Sequence, residues 1–186
     1  MQSPDPDVPD PAGTRPTLLQ QREIEARIVA PLVHALRARF GPEVLEVVRE
    51  VIQTLARETG RTLAEEVRAT RPGHDPGLVD FARMLDRWTA GNALAMNVLE
   101  SSENRLSFDV TRCGYAEMYR RLGIPELGTI LSCARDRALI EGYCEAFGLD
   151  REGTLLEGAS CCDFRFRRSS PDSPDSQNPD GQISGS

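Results

Sequence analysis

The chain contains no lysine; all 22 of its basic residues are arginine. That excludes Schiff-base chemistry on a lysine amine and the lysine-dependent phosphate loop. Histidine is nearly as scarce, with only His34 and His74. His34 falls in an apolar helical pattern and His74 in a Pro/Gly loop, so neither is placed as the base of a cysteine–histidine couple. No C-x-x-C pair occurs, and no histidine is spaced with a cysteine as zinc sites require. A structural zinc site is therefore not expected. Only a three-thiolate arrangement of Cys113, Cys133 and Cys162 stays open, and the reading assigns no metal and no cofactor.

Long hydrophobic runs are missing too. Nothing approaches the roughly 18 apolar residues of a membrane span, and no export-type apolar region stands near the start. Five cysteines is an odd number. Without an export signal, it fits reduced thiols in a cytoplasmic protein better than a disulfide framework. There is no basic surplus either, since the net charge is −7. Residues 1–16 and 169–186 together hold six aspartates and one arginine, a net of −5, which leaves −2 for the body of the chain. This excludes nucleic acid and an anionic membrane surface as electrostatic partners. A small-molecule substrate remains as the expected partner, and the oligomeric state is open.

What is present divides into three. Residues 1–16 are rich in Pro and Asp and residues 169–186 in Ser, Pro and Asp. Both are expected to be disordered tails, because neither buries enough apolar surface to offset chain entropy. The stretch 17–168 is long enough for one domain with a single core.

Thr17 caps a predicted helix over 18–40, in which Ile24, Ile28, Leu32, Leu36 and Phe40 recur every four residues and Pro31 should kink or split it. Gly41-Pro42 opens a second helix to about Thr59, with Gly60 as its C-cap and a short helix around Leu63 and Val67. After the loop from Arg71, Asp75 caps a helix carrying Leu78, Phe81, Leu85 and Trp88. Residues 93–100 and 105–112 alternate as a hairpin. In the second strand Leu106, Phe108 and Val110 face one way, and Ser107, Asp109, Thr111 and Cys113 the other. Helices fill 114–147, Gly148 marks a stop, and 153–158 and 160–167 read as two further strands. The architecture is α+β: N-terminal helices, then ββ-helices-ββ forming a small antiparallel sheet. Its polar face, with Asn97, Asp109, Thr111, Asp163 and Arg165, either meets water or floors a pocket.

The candidate chemistry gathers around Cys133 and Asp136, three residues apart on one helical side. Cys113 and Cys133 adjoin Arg112 and Arg135 in sequence, and a thiolate needs such positive charge. Asp136 and Asp163 are the proton acceptors available in place of a histidine. Arg112 and Arg165 are suited to clamp a carboxylate in bidentate fashion, with Asp163 and Asn97 as neighbouring polar contacts.

The ordered set Arg112-Cys-Gly-Tyr, Ile124-Pro-Glu-Leu-Gly, Cys133-x-x-Asp136, Thr154-Leu-Leu-Glu-Gly158 and Cys162-Asp-Phe-Arg-Phe166 resembles the L-2-amino-thiazoline-4-carboxylic acid hydrolase family over about residues 20–168. The resemblance implies a bacterial, cytoplasmic hydrolase acting on C–N bonds other than peptide bonds, opening a five-membered thiazoline ring or a related cyclic amidine-type acid. In that reading Cys133, Asp136 and Cys113 are catalytic, and Arg112, Arg165, Asp163 and Asn97 bind substrate. Either Asp136 activates water or a thiol attacks first. The closing Gly158 to Phe166 segment is also similar to vinyl-reductase-type ligand-binding domains. It implies the alternative of a non-catalytic small-molecule-binding or scaffold domain with a thiol-lined pocket.

Overall fold

The structure, a computed structural model, describes residues 16–169. The two expected tails lie almost wholly outside the described residues. Helices α1 (Leu18–Phe40) and α2 (Val44–Thr70) lead, followed by short helices α3 (Leu78–Ala82) and α4 (Leu85–Thr89). Then come β1 (Leu94–Ser101), β2 (Arg105–Cys113), α5 (Gly114–Arg121), α6 (Pro125–Gly128), a π-helical turn over Thr129–Cys133, α7 (Arg135–Tyr143), β3 (Phe147–Asp150), a 3-10 turn over Leu155–Glu157 and β4 (Cys162–Arg168). The sheet is antiparallel with order β1-β2-β4-β3. The α+β class and the ββ-helices-ββ order are as read from the sequence.

Several boundaries differ. Thr17 does cap α1, through a capping box with Gln20. Pro31 does not split the helix; it sits on an exposed side, where water can satisfy the carbonyl freed four residues back. α2 does not stop at Thr59, and Gly60 is a packing residue rather than a C-cap. A Cβ on Gly60 would stand 2.6 Å from the Tyr143 backbone nitrogen, and one on Gly142 would stand 2.6 Å from Arg57 Cα. The two glycines let α2 and α7 touch backbone to backbone. The cap expected at Asp75 is supplied instead by buried Asp80, whose carboxylate accepts from the Gly77 N–H at 3.2 Å and from His74 Nε2 at 2.7 Å and pairs with Arg71. His74 is thus fixed to the body. The expected strand over 153–158 is a turn; the edge strand is β3, which runs through Gly148.

One face of the sheet is apolar. Leu106, Phe108, Val110, Cys162, Phe164 and Phe166 pack under Ala56, Leu63, Phe81, Ile140 and Tyr143. A second cluster joins α1, the first half of α2, α5 and α6 around Ala26, Ala30, Met118, Tyr119 and Leu127.

Candidate functional site

Strand parity decides where the thiols go. Ala95 pairs with Arg112 but Met96 with Val110, so Thr111 is an extra residue on β2. Such a bulge reverses the alternation beyond it. Cys113 therefore leaves the polar row it was assigned and packs against the main core. There its sulfur accepts from the Ala116 N–H at 3.4 Å and caps α5. Val110 pairs with Cys162, so the end of β2 and the start of β4 meet at one end of the apolar face.

The π-helical turn ends at Cys133, and α7 begins just beyond it, with Asp136 in its first turn. A π turn displaces side chains from regular helical register and is often found at functional sites. Asp136 Oδ2 accepts from Arg151 Nη1 at 2.5 Å, and Arg151 Nη2 reaches the Cys133 carbonyl at 3.0 Å. The Arg151 guanidinium also lies 5.1 Å from the centre of the Phe164 ring. Arg151 itself rides on a loop fixed by Asp163, whose carboxylate accepts from the N–H groups of Glu152 and Gly153 at 3.0–3.1 Å.

Cys113, Cys162 and the Cys133–Asp136 pair thus come from three separate segments and are close enough to perturb one another. Burial pushes the Cys133 thiol up to about 12, and the Asp136 charge adds to this while Arg151 opposes it. Burial also raises Cys113 and Cys162, with Asp136 contributing to both. All three thiols stay protonated at neutral pH. Burial raises the Asp136 carboxyl above its ordinary 3.8, and Arg151 and Arg135 pull it back only in part. Arg151 loses to burial but gains more from Asp136, and its affinity for the proton rises.

Beside this pair lies a second group. Arg22 Nη1 holds Glu25 at 2.6 Å, and Arg135 Nη2 approaches the same carboxylate oxygen at 3.9 Å. Tyr119 Oη and Ser132 Oγ are hydrogen-bonded at 3.0 Å. The side chains of Arg22 and Arg135 are only 17% and 18% exposed. Burial, and then Arg22, lower the Arg135 guanidinium. Taken with Asp136 and Arg151, three guanidiniums face two carboxylates, leaving one positive charge in a half-buried place.

The other sequence candidates do not join this group. Arg165 pairs with Asp109 at 2.7 Å on the opposite, polar face of the sheet. Exposed Asn97 lies opposite Asp109 on that same face. Helix α7 covers the apolar face because Leu139 and Ile140 need its phenylalanines, so the polar face cannot complete the site. Asp163 acts through the loop that carries Arg151. Burial pushes its carboxyl up, but the two loop N–H groups outweigh that and leave it below the ordinary value. Arg112 donates to Asn92 O at 2.9 Å and pairs with Glu117 at 2.7 Å. It lines an open cleft of about 440 Å3 with Glu23, Glu117 and Arg121. There Arg121 pairs with Glu23, so both cleft arginines have a carboxylate. Arg151 and Arg22 were missed as site residues, since each looks in sequence like one more solvated arginine; Arg135 stood out only as the sequence neighbour of Cys133. Among the described residues no three His, Cys, Asp or Glu side chains group as metal ligands would.

A family model for L-2-amino-thiazoline-4-carboxylic acid hydrolase matches residues 21–166. The chain belongs to this family. That supports a hydrolase-like function. No curated protein sequence matches the chain. Among solved structures, a trafficking protein particle complex subunit 3 from Naegleria fowleri, covalently bound to palmitic acid, is similar with a TM-score of 0.50 and 14% identity, covering 81% of this chain and 96% of that one. The phenol-responsive sensory domain of the transcription activator PoxR, with phenol, has a TM-score of 0.49 and 17% identity, covering 84% of this chain and 78% of that one. At such identities the first likeness shows the fold alone. Among the described residues no helix is long and apolar enough to cross a membrane.

Proposed function

We propose that this family member hydrolyses a small cyclic amidine-type acid, with 2-amino-thiazoline-4-carboxylate as the reference substrate, at the cluster around Asp136. The observation that carries the reading is the Asp136–Arg151 pair set among three neutral thiols and beside the unbalanced Arg22–Glu25–Arg135 group. A carboxylate whose affinity for protons is raised by burial is a better base than an exposed one. Arg151 occupies Oδ2, and no hydrogen bond from the described residues goes to Oδ1, which is free to take a proton from water. The water oxygen bonds to the amidine carbon, the ring C–N bond breaks, and both water protons end on the ring nitrogen, one of them by way of Asp136. The surplus positive charge at Arg22 and Arg135 suits the substrate carboxylate, and two guanidiniums would fix the ring's orientation. Protonated thiols at Cys113, Cys133 and Cys162 would then line the site for the ring rather than attack it.

Incubating the purified chain with the thiazoline acid should give a product heavier by one water. Arg135→Gln should raise KM about tenfold or more while kcat changes less, since a hydrogen bond to a charged group contributes roughly 1.5–3 kcal/mol. The protonated thiols equally suit the alternative, a non-catalytic binding domain. Saturable binding of the acid without any turnover would establish that reading and sink the hydrolytic one.

A further inference from the structure

The α1 row that looks like a core stripe in the sequence is on the outside. Ile24, Ile28, Leu32, Leu36 and Phe40 are each between 44% and 66% exposed. On α2, Val47, Val51 and Leu55 repeat the same four-residue step and are 46–58% exposed. The fully buried positions of these helices are mostly small residues instead, Ala26, Ala30 and Val33 on α1 and Ala56, Gly60 and Ala64 with Leu63 on α2. Eight large aliphatic and aromatic side chains in water are more than a soluble monomer ordinarily presents in one region.

We propose that this two-helix face is the interface of a homodimer, the α1 row of one copy packing against a second copy of the same face. Half-exposed side chains of these sizes offer on the order of 800 Å2, the area one partner contributes to a standard stable interface. Side chains at four-residue steps form an inclined ridge, and two such ridges of equal pitch interdigitate in the commonest mode of helix packing. An identical copy supplies that pitch by symmetry, as a two-fold interface requires. Prolines aside, residues 1–15 bring only Met1, Val8 and Ala12 as apolar side chains and residues 170–186 only Ile183, which is little to set against eight large ones. Four of the arginines on these helices have carboxylate partners within the chain: Arg22 with Glu25, Arg27 with Glu23, Arg37 with Glu126 and Arg49 with Glu46. The rim therefore offers little to a strongly charged protein or to an anionic lipid surface, and the apolar ridge is what remains to be recognised.

The test is the mass of the full chain in solution. At micromolar concentration, sedimentation or light scattering should give twice the 20.5 kDa of one chain. The double substitution Ile28→Glu with Leu32→Glu should weaken the dimer about a hundredfold or more, as loss of central interface side chains does. Its circular dichroism should be unchanged, because both positions are exposed. Leu32→Met should keep the dimer. A native chain that stays at 20.5 kDa overturns the proposal, whether or not it then sediments with lipid vesicles, and so does a dimer that survives the double substitution.

Discussion

At the scale of single residues, the proposed chemistry turns on Asp136. If it is the base, Asp136→Asn should lower kcat by about a hundredfold to ten-thousandfold, the usual share of general-base catalysis. Because its carboxyl is raised above 3.8, the acid limb of kcat/KM should lie above the ordinary carboxylate range and vanish in the variant. The same shift has a sign for stability. Between 3.8 and the raised value the unfolded chain loses its proton while the folded one keeps it, so this group's contribution to stability falls as pH rises through that window. An unfolding series across acid pH with wild type and Asp136→Asn isolates the difference.

Cys133 makes the opposite prediction. With burial raising it to about 12, its thiol carries very little thiolate at pH 7. Cys133→Ser should therefore leave most of the turnover intact, and iodoacetamide should label Cys133 far more slowly than a free thiol. A substrate adduct on Cys133, seen by mass spectrometry, would show that the thiol attacks.

At the scale of elements, the α2–α7 contact controls the site. α7 carries Asp136 in its first turn and Gly142 near its end, so its position against α2 fixes where the carboxylate stands. Gly60→Ala or Gly142→Ala inserts a methyl against backbone that cannot move aside. Each should cost about 3 kcal/mol or more, beyond the usual overpacking range for a yielding core. Thermal unfolding would measure the loss, and any residual folded protein should show reduced turnover with Asp136 untouched. The β2 bulge at Thr111 is the second element-scale control. It turns Cys113 inward and Arg112 outward, which is why two residues adjacent in sequence serve different surfaces.

At the scale of the whole molecule, the folded body is two clusters that meet at α2. One lies beneath the sheet, and the other joins α1, α5 and α6. The described members of both run from Leu19 to Phe166. Removing both segments should leave the unfolding temperature nearly unchanged, and a fall of many degrees on trimming would show that one of them packs on the body. The same removal should leave the dimer intact, because the proposed interface is built from α1 and α2 alone.

The class of fold, the hairpin, the helix cap at Thr17, the apolar side of β2 and β4, and the nearness of Cys133 to Asp136 were all legible in the amino-acid order. Each is a local pattern, readable because a period of two or of about 3.6 survives without knowledge of neighbours. Which side of α1 faces inward came from packing between distant segments. Both sides carry apolar residues, and the smaller ones win because helices approach closely there. That packing also decided that Gly60 serves contact rather than termination, since the residue it makes room for lies on α7. And it decided the cation partners of the site. Arg151, Arg22 and Arg135 have no periodic signature, and a salt bridge such as Asp136–Arg151 depends on where two loops return, not on spacing along the chain. Arg112 and Arg165 looked equally eligible in the sequence; pairing with Glu117 and Asp109 took them elsewhere.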